Sequence, residues 1–154
     1  MSNVIFNRHG RIGDRWQAGF TLIEMMIVVV IIAILASIAW PSYIKQVTKT
    51  NRVAAEACLS QYANYMERYY TTNLRYDQSA AATPVANTPP TLDCAATSQT
   101  GNFYNYSLVA ANLTASAFTV QAVPKGAQQT RDTMCGTLSL DQAGNRLPTT
   151  SGCW

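Results

Sequence analysis

The sequence predicts an α+β chain: a long N-terminal helix, half transmembrane and half amphipathic, packed on a small antiparallel β-sheet. Three observations predict it. Phe20 to Trp40 is an apolar run holding a single charge, Glu24. From Val47 to Tyr69 apolar residues recur at helical spacing. Beyond Asn102, apolar and polar residues alternate with a period of two.

The twenty-one residues of the run, at about 1.5 Å each, make a helix of roughly 31 Å, the thickness of a bilayer's hydrocarbon core. Met25 to Ala36 reads MMIVVVIIAILA, without a polar side chain. Its β-branched residues form helices poorly in water but acceptably in lipid, where every backbone group must bond within its own segment. The core helix of a water-soluble domain is seldom apolar on all faces for this length.

The residues before the run invert the order of a secretory signal, which places an apolar core ahead of its cleavage site. Residues 1–19 carry Arg8, His9, Arg11, Asp14 and Arg15 and no apolar core. Cleavage after Gly19 would keep the apolar run on the mature chain as its N-terminus. Lys45, Lys49 and Arg52 follow the run closely, so flanking charge alone leaves orientation open. All four cysteines (Cys58, Cys94, Cys135, Cys153) follow the run. An even number on one side points to an oxidising compartment there, with the N-terminus in the cytoplasm.

Val47, Ala54, Cys58, Tyr62, Tyr65 and Tyr69 form an apolar helical stripe, widened by Leu59 and Met66. Lys45, Lys49 and Arg52 read as a basic face in contact with headgroups or solvent, and Arg52 is spaced to pair with Glu56. Tyr70 to Asn102 (including AAATPVANTPPTLD) loses the helical period and reads as a loop. Strands follow where Tyr104, Tyr106 and Leu108, then Phe118, Val120 and Ala122, then Leu138 and Leu140 alternate with polar residues. Asp141 to Asn145 supplies a turn.

The residues argue against an enzyme. The only histidine is His9, ahead of the run, and no nucleophile stands beside an evident base. Asp77, Asp93, Asp132 and Asp141 read as scattered, solvated positions. With no C-x-x-C spacing, neither a metal site nor a cofactor is expected. Four cysteines allow three disulfide pairings. After Trp40 there are eight Lys/Arg and six Asp/Glu, an excess of only two. Nucleic-acid binding needs a concentrated basic surface, for which Lys125, Arg131 and Arg146 are the candidates.

Gly19-Phe20-Thr21-Leu22-Ile23-Glu24, followed by an unbroken apolar stretch and Pro41, resembles the prepilin motif of type IV pilins and related pseudopilins. Thr133 to Leu138 and the terminal Gly152-Cys153-Trp154 resemble the C-terminal region of PilE-like minor pilins. The resemblance implies a type IV pilin fold with a leader at 1–19, a hydrophobic helix at 20–53 that anchors and forms the filament core, and a disulfide-braced globular domain at 54–154. It implies a prepilin peptidase that cuts between Gly19 and Phe20 and methylates the Phe20 amine. Glu24 would pair with that amine on a neighbouring subunit and fix register, since a desolvated ion pair need not add net stability. Pro41 would end or kink the helix. Of the possible disulfides, the resemblance favours Cys135–Cys153, as the family's C-terminal loop, and Cys58–Cys94, tying the long loop to the helix.

The function so implied is that of a minor pilin, a structural subunit that enters or primes a type IV pilus for adhesion and twitching motility. The alternatives are a DNA-binding competence pilin, a major pilin or a type II secretion pseudopilin. The partners are other pilin subunits, the peptidase and the inner-membrane assembly machinery, with nucleic acid not favoured. The chain would sit in a bacterial inner membrane, its C-terminal domain periplasmic, before entering an extracellular pilus.

Overall fold

A computed structural model describes residues 19–154. Arg8, His9, Arg11, Asp14 and Arg15, in the segment expected to be a leader, lie outside them. The chain divides into two compact units, one up to Ala39 and one from Trp40 onward.

In the first unit, helix α1 (Leu22–Asn73) begins. Thr21 caps it: the Thr21 hydroxyl accepts the Glu24 amide at 3.3 Å and the Thr21 carbonyl accepts the Met25 amide at 3.2 Å. The apolar side chains after this cap are exposed, among them Ile27, Ile32 and Leu35. By length and composition α1 can cross a membrane. It continues through Pro41, although proline lacks the N–H that would reach back to the preceding turn.

In the second unit, the later turns of α1 cover a four-stranded antiparallel sheet in the order β1 (Tyr104–Leu108), β2 (Thr119–Pro124), β3 (Leu138–Asp141), β4 (Arg146–Leu147). Val120 stands opposite Leu140, and Ala122 opposite both Leu138 and Tyr106. The period-two side chains therefore share one face. They form a single core with Ala55, Cys58, Leu59, Tyr62 and Met66 of α1. Phe118, one residue before β2, is 1% exposed and meets the edge of Tyr76 with ring centroids 4.8 Å apart. A short helix α2 (Gly126–Arg131) follows β2. The Asp141 carboxylate closes the β3–β4 turn by accepting the amides of Ala143 and Asn145 at 2.9 and 2.8 Å.

The buried stripe of α1 differs from the one expected. It is built on Thr48, Arg52, Ala55, Cys58, Leu59, Tyr62 and Met66, while Ala54 is exposed and Val47 only half-buried. The face is rotated because two of its members, Thr48 and Arg52, are polar and invisible to an apolar count. Arg52 accordingly leaves the solvated basic face to Lys45 and Lys49. Its partner is Asp132 rather than Glu56, so Asp132 is buried and not a solvated position.

The segment after α1 is irregular but well tied. Asn87 is buried and donates to the Tyr76 carbonyl at 2.7 Å, and its side-chain oxygen accepts the Tyr65 hydroxyl at 3.2 Å. A 3-10 turn at Asp93–Ala95 carries Cys94, which is bonded to Cys58 of α1. A second disulfide joins Cys135 to Cys153.

Candidate functional site

At the N-terminal junction, Gly19, Phe20 and Glu24 are all exposed, and Phe20 retains 79% of its accessible surface. Glu24 lies in the first turn of α1, where the helix dipole favours a negative charge. Among the described residues no cation pairs with it. The junction thus presents the Gly19–Phe20 bond on non-helical backbone, an aromatic residue after it and, in the first turn of the helix, a carboxylate unpaired among the described residues.

The second constellation is buried. One guanidinium nitrogen of Arg52 donates to the Asp132 carboxylate at 2.5 Å and to the Cys135 sulfur at 2.9 Å, and the other donates to the Gly152 carbonyl at 2.9 Å. Gln128 donates to the Thr48 carbonyl, to the Tyr104 hydroxyl oxygen and to Asp132 at 3.0, 2.9 and 3.2 Å. Every buried polar side-chain atom among the described residues has a partner. The cluster joins α1, β1, α2 and the Cys135–Cys153 loop. A fully satisfied buried network of this kind rigidifies the core around it. Sequence reading missed it, because its members lie up to one hundred residues apart and none marks itself locally.

Beside the cluster lies an open groove of about 710 Å³. Trp40, Pro41, Ile44 and Met134 give it apolar walls, and Lys45, Lys49 and Arg131 stand along it.

The three candidate DNA contacts do not form one cluster. Lys125 follows the end of β2 and donates to Asn105 at 3.0 Å. Arg146 pairs with Leu140, which faces Val120. That sets Arg146 five residues back along β2, or about 16 Å at 3.3 Å per residue, with β3 between. Its guanidinium lies over the Trp154 ring, 5.3 Å from the centroid. Arg131 belongs to the groove instead. Among the described residues no group of His, Cys, Asp and Glu has the arrangement of a metal site.

Comparison with known proteins places this geometry. Residues 17–40 match the family model of the prokaryotic N-terminal methylation motif. Residues 41–139 match the model described as "Type IV minor pilin ComP, DNA uptake sequence receptor". The chain is 33% identical over 86 residues to the type II secretion system core protein G of Pectobacterium carotovorum, covering 56% of this chain and 54% of that one. It is 38% identical over 64 residues to the type IV wide pilus major component PilA4 of Thermus thermophilus, covering 42% and 49%. It thus spans about half the length of these curated relatives. A type IV pilin structure from Shewanella oneidensis aligns with 31% identity and a TM-score of 0.44, over 70% of this chain and 97% of that one. With the methylation motif on its apolar run and a pilin family model matched across residues 41–139, this chain belongs to the type IV pilin family.

Proposed function

We propose that this chain is a minor pilin, cut between Gly19 and Phe20, methylated on the Phe20 amine and assembled into, or priming, a type IV pilus. One observation carries the reading: a helix whose apolar side chains are exposed along the whole run holds in its first turn Glu24, which has no ion-pair partner among the described residues. Lipid satisfies the apolar surface, but a carboxylate in the membrane is costly, less so near the edge than at the centre. Another copy of such a helix supplies both an apolar surface and an N-terminal cation. The proposed boundaries are a leader at 1–19, a filament-core helix at 20–53 and a globular domain at 54–154. The partners are other pilin subunits, a prepilin peptidase and an inner-membrane assembly platform. The role is structural, not enzymatic.

The test is quantification of the protein in sheared pili and in membranes. Glu24→Val is expected to leave membrane levels unchanged and to deplete the protein from pili about tenfold or more, as the loss of a pairing worth at least about 1.4 kcal/mol would do. Equal incorporation of the variant sinks the proposal.

A second reading, DNA reception, is supported by the description of the model matched at residues 41–139. The separation of Lys125 from Arg146 weighs against those residues as its surface. Binding of duplex DNA by the whole chain that weakens steeply with salt would favour this reading. Absence of a mobility shift at low salt removes it.

A further inference from the structure

We propose that the groove lined by Trp40, Ile44, Lys45, Lys49, Arg131 and Met134 binds the headgroup of one anionic phospholipid, an inference that goes beyond pilus assembly. The argument starts from position. Trp40 is the last residue of the apolar run, and an indole there suits the headgroup level of a bilayer. The groove opens on the next two turns of the same helix, through Pro41, Ile44, Lys45 and Lys49.

Charge selects the ligand. Lys45 and Lys49 are four residues apart, so they stand on one side of α1. Arg131, in the last turn of α2, brings a third cation to the groove. Among the described residues none of the three is in an ion pair. The one acidic residue lining the groove, Asp132, is only 4% exposed and already held by Arg52, Gln128 and Tyr104. The lining is therefore net cationic, and a phosphate group is complementary to it.

Shape and polarity then separate the candidates. The walls formed by Pro41, Ile44 and Met134 offer nothing to a free phosphate or a sugar–phosphate backbone, but they suit the glycerol and first methylenes of a lipid. The volume of about 710 Å³ is that of a small-molecule site, ample for a headgroup and the start of its chains. Occupancy would hold the subunit against the membrane until filament entry strips the lipid away.

The experiment uses the full chain in a neutral detergent, with phosphatidylglycerol and phosphatidylcholine added in equal amounts and bound lipid counted by native mass spectrometry. One phosphatidylglycerol is expected per chain, favoured over phosphatidylcholine by about tenfold or more. The combined Lys45→Glu, Lys49→Glu and Arg131→Glu variant is expected to lose that preference, and Lys125→Glu to keep it. Arg131→Glu alone, at an exposed position, is expected to lower occupancy severalfold and guards against misfolding of the triple variant. Equal retention of both lipids, or undiminished phosphatidylglycerol on the triple and single variants, overturns the proposal. So does displacement of the lipid by glycerol 3-phosphate at equal concentration, which would make the site one for free phosphate, or by a short DNA duplex, which would assign it to nucleic acid. Lipid occupancy is read without pili, so failure here leaves the test of pilus incorporation intact.

Discussion

Arg52 and Asp132, eighty residues apart in sequence, meet at 2.5 Å inside the globular unit. Both are nearly inaccessible, with side chains 8% and 4% exposed. Two charges taken out of water recover their desolvation cost only when their remaining donors and acceptors are filled. Here no buried nitrogen or oxygen of either side chain lacks a partner: Arg52 also reaches the Gly152 carbonyl, and Asp132 accepts from Gln128 and Tyr104. Removing one member is therefore more damaging than removing both charges. Arg52→Met is expected to cost about 3–5 kcal/mol, read as a lowered midpoint in the thermal unfolding of the detergent-solubilised chain. Adding Asp132→Asn, which keeps an acceptor for Gln128 and Tyr104 without the charge, is expected to recover at least half of that loss. A double variant no more stable than Arg52→Met would refute the account.

The same pair marks where sequence reading stops. The first three strands were legible because each buries one face, so Tyr104, Val120, Ala122, Leu138 and Leu140 announce their side by alternation alone, whereas β4 is exposed at both residues and carries no such pattern. The apolar run was legible by length, and the methylation motif that spans residues 17–40 by its residues. The register of α1 was not, because its buried face includes Thr48, whose hydroxyl is satisfied by the Ile44 carbonyl and whose backbone carbonyl accepts from Gln128, and Arg52, which donates to Asp132. Periodicity measures apolarity along one element and carries nothing about a partner eighty residues away. The long loop was opaque for a related reason. Asn87 is buried because it bonds to Tyr65 and to the Tyr76 backbone, while a composition count marks it only as one more polar loop residue. The groove depends on bringing Arg131 beside Lys45 and Lys49, which requires the fold itself.

Gly101 makes a sharper test of the loop. It is buried, and its amide donates to the Ala96 carbonyl at 3.0 Å. A methyl group there would collide with the Ala95 carbonyl oxygen and stand 2.8 Å from the Ala96 carbonyl carbon. Both obstacles are backbone, and Cys94 next to them is tethered to α1 by its disulfide. The turn cannot drift aside as a free loop would. Gly101→Ala is expected to cost about 1–3 kcal/mol, as overpacking does, and to lower the thermal midpoint by roughly 5–15 °C. An unchanged midpoint would mean that the turn yields despite its tether.

Alkaline titration reads the core from another side. Of the eight tyrosines, burial pushes the Tyr76 and Tyr106 hydroxyls up to about 12 and raises that of Tyr104 further. Tyr76 is held up also by its hydrogen bond to Glu67, at 3.0 Å. In each case the folded state favours the neutral phenol and its affinity for the proton exceeds that of the unfolded chain. The resulting stability is complete below the unfolded value of about 10 and is lost as pH rises from there through the folded value. Absorbance at 295 nm is therefore expected to show Tyr76 and Tyr106 ionising only near pH 12 and Tyr104 later still, with near-UV dichroism failing alongside. Tyr76→Phe keeps the ring against Phe118 but removes one delayed phenol, so the step near pH 12 should shrink. Ionisation of all the phenols complete by about pH 11 in the folded chain would mean that these hydroxyls reach water, and that the loop does not close over Tyr76.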